Sequence, residues 1–143
     1  MTSTSASPDT IPLVVVGAHL TGMPLNRELQ ALEATLIKAT RTTPDYKLYA
    51  LAGAVPPKPG LLRVASEGTG IDVEVWALTP AAFGLFVSRI PSPLGIGTLQ
   101  LEGGETAKGF LVEAVAVEGA RDISGFGGWR NFIASLTPVS AAG

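Results

Sequence analysis

No cysteine occurs anywhere in the 143 residues. That absence removes disulfides, thiolate metal sites and a cysteine nucleophile together, and it fits a reducing cytoplasm. Histidine is almost as scarce: His19 stands alone, so no His-rich metal centre can be built. Charged residues make up 15% and aromatics 6%, with a net charge of −2 and no basic run, which argues against a nucleic-acid surface. No stretch reaches the roughly 18 consecutive apolar residues of a membrane span. Residues 1–10 lack the Lys or Arg that opens a signal peptide. The expectation is a soluble, cytoplasmic protein with no cofactor, no metal, and neither nucleic acid nor membrane as a partner.

What the sequence does have is apolar bulk and punctuation. Hydrophobic residues reach 46%, enough for a packed core, and the length suits one domain. With 17 Gly and 11 Pro the chain must turn often, which favours short elements over a helical bundle. Residues 1–11 and 138–143 read as tails around a single domain over 12–137.

Within that domain, 12–17 is a β-branched run closed by Gly17, as in a strand buried on both faces. Gly22 and Pro24 break 18–26 into a loop. Leu25, Leu29, Leu32 and Leu36 recur at helical spacing, while 33–43 also tolerates alternation and is left undecided by pattern. Residues 47–51 alternate as a strand, 55–60 with its three prolines reads as a loop, and 71–78 is a second strong strand. Thr79-Pro80 reads as an N-cap with Pro at the first helical position, opening a helix over 81–89. Two strands, 97–101 and 109–114, flank a Gly103-Gly104 turn; a glycine-rich loop over 122–128 then leads to a closing helix over 129–136. Asp122 or Ser124 is a candidate cap for that last helix. Strands outnumber helices, so the pattern gives an α+β domain with a curved or barrel-like sheet.

A longer signature runs through these elements. Gly17-Ala18-His19-Leu20-Thr21-Gly22-Met23-Pro24-Leu25-Asn26 resembles the opening of the C-terminal domain of allophanate hydrolase. Similar stretches follow in the same order: Tyr46-Lys47-Leu48-Tyr49, Pro57-Lys58-Pro59-Gly60-Leu61, Glu74-Val75-Trp76 and Ile90-Pro91-Ser92-Pro93-Leu94-Gly95-Ile96-Gly97. Lys108-Gly109-Phe110-Leu111 and Ala120-Arg121-Asp122-Ile123-Ser124, running into Gly127-Gly128-Trp129-Arg130, complete the series. The likeness covers residues 12–136 and implies a γ-glutamylcyclotransferase-like fold: a mixed, curled, barrel-like β-sheet with a few short helices. It also implies that 35–43 is a strand paired with 46–51.

Two departures bear on activity. Cyclotransferases of this fold place a carboxylate just after the helix that follows the Glu-Val-Trp-like strand, and here that place reads Ser88-Arg89-Ile90-Pro91, which argues against cyclotransferase chemistry. The Ser-Ser-Lys amidase domain of allophanate hydrolase has no room in this length.

His19 is the one side chain with an ordinary pKa near neutrality, about 6.5, and follows directly on a strand. In the resembled family the matching histidine is implicated in decarboxylating N-carboxycarbamate, the product of the amidase. Glu74 is the second candidate catalytic residue, as proton carrier or orienter of His19 if its face points inward. Otherwise it is a solvated carboxylate. Candidate substrate-binding residues are Gly17, Ala18, Leu20, Gly22, Met23, Pro24, Leu25 and Asn26, whose backbone amides could cradle a carboxylate. Lys108 would hold a second carboxylate, unless it is a strand-edge lysine facing out. Tyr46 completes the set, with packing as its plain alternative.

Three functions remain open: a decarboxylase or related lyase acting on a small dianion such as N-carboxycarbamate, a non-catalytic module binding a small dicarboxylate, or a relative drifted to another small polar substrate. A separate amidase subunit is a candidate partner, and an oligomer is compatible with the sequence.

Overall fold

The computed structural model describes residues 9–53 and 58–136. The β-branched run becomes β1 (Ile11–Val15), whose last three residues are fully buried. It lies at the centre of a five-stranded sheet, which is why no polar side chain alternates along it. Its neighbours are β5 (Asp72–Leu78), antiparallel, and β7 (Thr106–Val112), parallel. Outside these lie β2 (Thr35–Arg41) and β6 (Leu94–Gln100). A smaller sheet, β4 (Pro59–Arg63), β3 (Tyr46–Ala50) and the two-residue β8 (Arg121–Asp122), packs through β4 onto β7. The larger sheet curls until Thr42 bridges Leu101, joining its outer strands at one end without a ladder between them.

Three helices complete the described residues: α1 (Asn26–Ala31), α2 (Pro80–Ser88) and α3 (Trp129–Leu136). Thr79 caps α2 by accepting from the Ala82 amide at 3.2 Å, with Pro80 at the first helical position. α3 buries Trp129 and Phe132. Gly103 and Gly104 make the hairpin turn between β6 and β7 with φ of 86° and 93°, where a Cβ would be strained. Among the described residues no helix is long and apolar enough to cross a membrane.

The stretch that pattern left undecided, 33–43, resolves as the resemblance implies: Glu33 at φ 61° follows α1 and Leu36 falls in the strand β2. Three local expectations change. β2 is a strand, but it pairs with β5 and not with β3. The chain leaves the first sheet at Thr42, whose amide donates to Ile71 O, and Pro44 then supplies no amide for a hairpin ladder. Of the proline loop over 55–60, Pro59 and Gly60 begin β4, while 55–57 lie outside the described residues. Asp122 accepts from the Ser124 amide just ahead of the short turn at Ser124–Phe126 and does not reach α3, which begins after Gly128. Of the expected tails, 1–8 and 138–143 lie outside the described residues, as does residue 137 of the expected domain, and Ile11 is the first residue of β1.

Candidate functional site

Because β1 and β7 run parallel, both end at the same edge of the sheet, and they deliver Val16-Gly17 and Phe110-Leu111 side by side. β5 runs the other way, so the chain must come back. A helix of nine residues rises about 13–14 Å, and α2 returns Phe86 and the following Arg89, Ile90 and Pro91 to that edge. The start of β4 brings Lys58 and Pro59, and α1 brings Glu28. Together they enclose a cavity of about 260 Å³. Gly17 is required there: a Cβ would lie 2.2 Å from Cγ of Pro59, so any side chain would push the β4 wall away.

His19 is set into one wall of the cavity, its side chain 14% exposed. Phe86 meets the imidazole edge-on at 4.9 Å between centroids, and Phe110 stacks on it at 5.4 Å. Nε2 lies 2.9 Å from Glu28 Oε1, and since a carboxylate oxygen only accepts, Nε2 carries the hydrogen and Nδ1 the free lone pair. Burial among the rings lowers the pKa of His19 below its ordinary 6.5; the hydrogen bond and charge of Glu28 oppose that without cancelling it. The backbone of His19 is held from below, its carbonyl accepting from Asn26 Nδ2 at 2.8 Å.

The residues named from sequence divide cleanly. Gly17, Ala18, His19 and Leu25 line the cavity. Leu20 is buried in the core, Met23 packs against it, and Gly22 turns the loop at φ 85° beside exposed Pro24. The amides of Leu20, Met23, Leu25 and Asn26 are spent within the loop, on the carbonyls of Gly17, Leu20, Ala18 and Met23. Those of Gly17, Ala18 and His19 make no hydrogen bond among the described residues, so the backbone donors free for an anion lie at 17–19. Tyr46 is fully buried away from the cavity, its hydroxyl accepting from the Gln100 amide at 2.9 Å. Lys108 is exposed and donates to Thr98 at 2.8 Å. Glu74 is 5% exposed and bonds to Thr21, Trp76 and Arg130, so the carboxylate beside His19 is Glu28 instead.

Sequence reasoning passed over Glu28, Lys58 and Arg89. Arg89 carried a signal, since it occupies the position where a carboxylate was sought and not found. Neither cation takes part in an ion pair among the described residues. No cluster of three or more His, Asp or Glu that could hold a metal occurs among the described residues.

The chain as a whole has counterparts among known proteins. The family model of the allophanate hydrolase C-terminal domain matches residues 11–134. The chain belongs to that family. It is 43% identical over 137 residues to the urea amidolyase of Lachancea kluyveri, covering 93% of this chain but only 8% of that protein. Kluyveromyces lactis allophanate hydrolase superposes with a TM-score of 0.87 at 41% identity, over 90% of this chain and 22% of that one. A uropathogenic E. coli-specific protein matches nearly end to end, at TM-score 0.81 and 32% identity over 90% of this chain and 98% of its own. A gamma-glutamyl cyclotransferase, 11% identical with a TM-score of 0.56, shares the fold.

Proposed function

We propose that this domain acts in urea or allophanate breakdown by decarboxylating N-carboxycarbamate or a similar small dianion, with His19 as the proton carrier. The observation that carries the reading is the cavity itself. About 260 Å³ is lined by one titratable ring, by Gly17, Ala18 and His19, whose amides make no hydrogen bond among the described residues, and by two cations, Lys58 and Arg89. Amides 17–19 would take one carboxylate, and Lys58 and Arg89 the other in place of Lys108. The relatives named for allophanate hydrolysis and urea amidolysis supply the substrate class.

In the step, the bond from nitrogen to the departing carboxyl carbon breaks and its electron pair stays on nitrogen. Nitrogen takes a proton from His19, leaving CO2 and carbamate. With Nε2–H held by Glu28, the transferred proton is the one Nδ1 gains when the dianion enters, because nearby negative charge favours the imidazolium. The apolar walls, Leu61, Phe86 and Phe110 among them, exclude water and strengthen these charge interactions. Free His19 titrates below 6.5, so kcat/KM should fall as pH rises through that low value. Because bound dianion raises the same pKa, kcat should hold to higher pH.

His19→Asn keeps a donor of similar reach but cannot exchange a proton. Release of CO2 from N-carboxycarbamate generated in situ by an amidase should slow by about 10²–10⁴-fold. Full turnover in that variant would reduce His19 to a binding group. A wild-type rate no faster than the uncatalysed one would leave a dicarboxylate-binding module, a reading favoured by the burial that keeps the free imidazole neutral.

A further inference from the structure

We propose that Glu74 and Arg130 form a clamp that positions His19 by gripping Thr21 from both sides of its peptide backbone. The clamp rests on the reading of His19 given above, but its geometry stands apart from it. Glu74 lies mid-strand in β5, paired across to Val15 of β1, directly beneath the loop that leaves β1. Its Oε1 accepts from the Thr21 amide at 2.9 Å, the Thr21 hydroxyl at 2.9 Å and Trp76 Nε1 at 3.1 Å. Its Oε2 accepts from Arg130 Nη2 at 2.8 Å. Arg130, near the start of α3, also donates to the Thr21 carbonyl from Nη2 at 2.6 Å and Nε at 3.2 Å.

Thr21 is therefore held at both its N–H and its C=O by side chains from two distant elements. A buried carboxylate is tolerated only when its lone pairs are filled, and here two of its four donors come from Thr21. Leu20, between Thr21 and His19, is anchored in the core. Gly17 and Ala18 on the other flank are fixed by the end of β1 and by the Leu25 amide. The loop thus has two tethers, and the one on the far side of His19 is the clamp. Because the tether nearer the amides remains without it, loosening the clamp should disturb the aim of the imidazole more than the seat of the carboxylate.

Glu74→Gln puts an amide where Oε2 faces Arg130. Arg130→Lys keeps the charge but cannot reach Thr21 and Glu74 together through a planar fork. Since this chain has one histidine, its imidazole signals can be followed by NMR without assignment overlap. In both variants kcat should fall about 10- to 100-fold while KM stays within about threefold, the signature of a misplaced group. The His19 titration midpoint should rise toward 6.5 as the ring leaves its slot between Phe86 and Phe110, with Glu28, Lys58 and Arg89 still the charged groups around it. Hydrogen exchange at the Leu20 amide should speed up about tenfold or more. A lower melting temperature with unchanged His19 midpoint and exchange would overturn the clamp, leaving a stabilising ion pair only. If Glu74→Gln does not fold, Arg130→Lys decides. If the wild-type protein proves not to turn over, the midpoint, the exchange rate and malonate affinity still test the clamp.

Discussion

Glu28 and Glu74 both sit within reach of the loop that carries His19, yet they are opposite kinds of carboxylate. Glu28, on the short α1, is half exposed, and among the described residues its carboxylate makes one hydrogen bond, to His19. Glu74, in the middle of the central sheet, is almost fully buried and takes four hydrogen bonds from three residues. Burial alone would raise the pKa of Glu74, but the bonds from Arg130, Thr21 and Trp76 outweigh it and hold the carboxyl below its ordinary value. Glu74, with both oxygens engaged by fixed donors, is locked in place as a structural and positioning group; a half-exposed carboxylate beside a titratable ring remains available to chemistry.

The comparison breaks most sharply on stability. Glu74→Ala strands the Thr21 amide, Trp76 Nε1 and Arg130, and unfolding in urea should show a loss of about 3 kcal/mol. The same group sets an acid limit. Its folded pKa is depressed, so its contribution is complete above the ordinary value of 4.5 and is lost as pH falls through the lower folded value. Equal stability of wild type and Glu74→Ala at pH 7 would remove the contrast.

The next effect lies in the cavity. Arg89→Ala and Lys58→Ala should each weaken malonate binding about tenfold or more by calorimetry, the usual worth of a charge-assisted contact. Lys108→Ala, at an exposed lysine bonded to Thr98, should leave it unchanged. A loss with Lys108 instead would return the second carboxylate to the strand edge.

The smallest effect is the most discriminating. Glu28→Gln removes the one influence that raises the His19 pKa, so the imidazole midpoint should move further down. As a half-exposed residue it should change folding stability by no more than about 0.5 kcal/mol. An upward shift would mean that Glu28 does not face a neutral ring through Nε2.

Strand and helix identities were legible wherever one face or both had to be apolar. β1, β5 and α3 lie within a residue or two of where periodicity puts them, because burial of Val14, Val75 or Phe132 is written in the local pattern. Likewise, a loop after Gly17 was legible from a glycine that ends a buried run, though the pattern spread the candidate cradle over 17–26. Partners across the chain were not. Nothing local to 35–41 distinguishes pairing with β3 from pairing with β5, and only the crossing at Thr42 and Pro44 selects the latter.

By itself, then, the sequence determined an α+β domain of the allophanate hydrolase C-terminal family with one imidazole next to a glycine turn. Tertiary structure decided which charges meet that imidazole. Glu28 lies nine residues from His19, yet it comes into contact because α1 starts at Asn26, whose side chain ties the helix to the His19 carbonyl. Glu74, though on a strand next to β1, points into the network of Thr21 and Arg130. The reason is physical: apolar burial depends on residue type and local period, whereas a hydrogen bond depends on distances of about 3 Å between atoms that only the packed chain brings together.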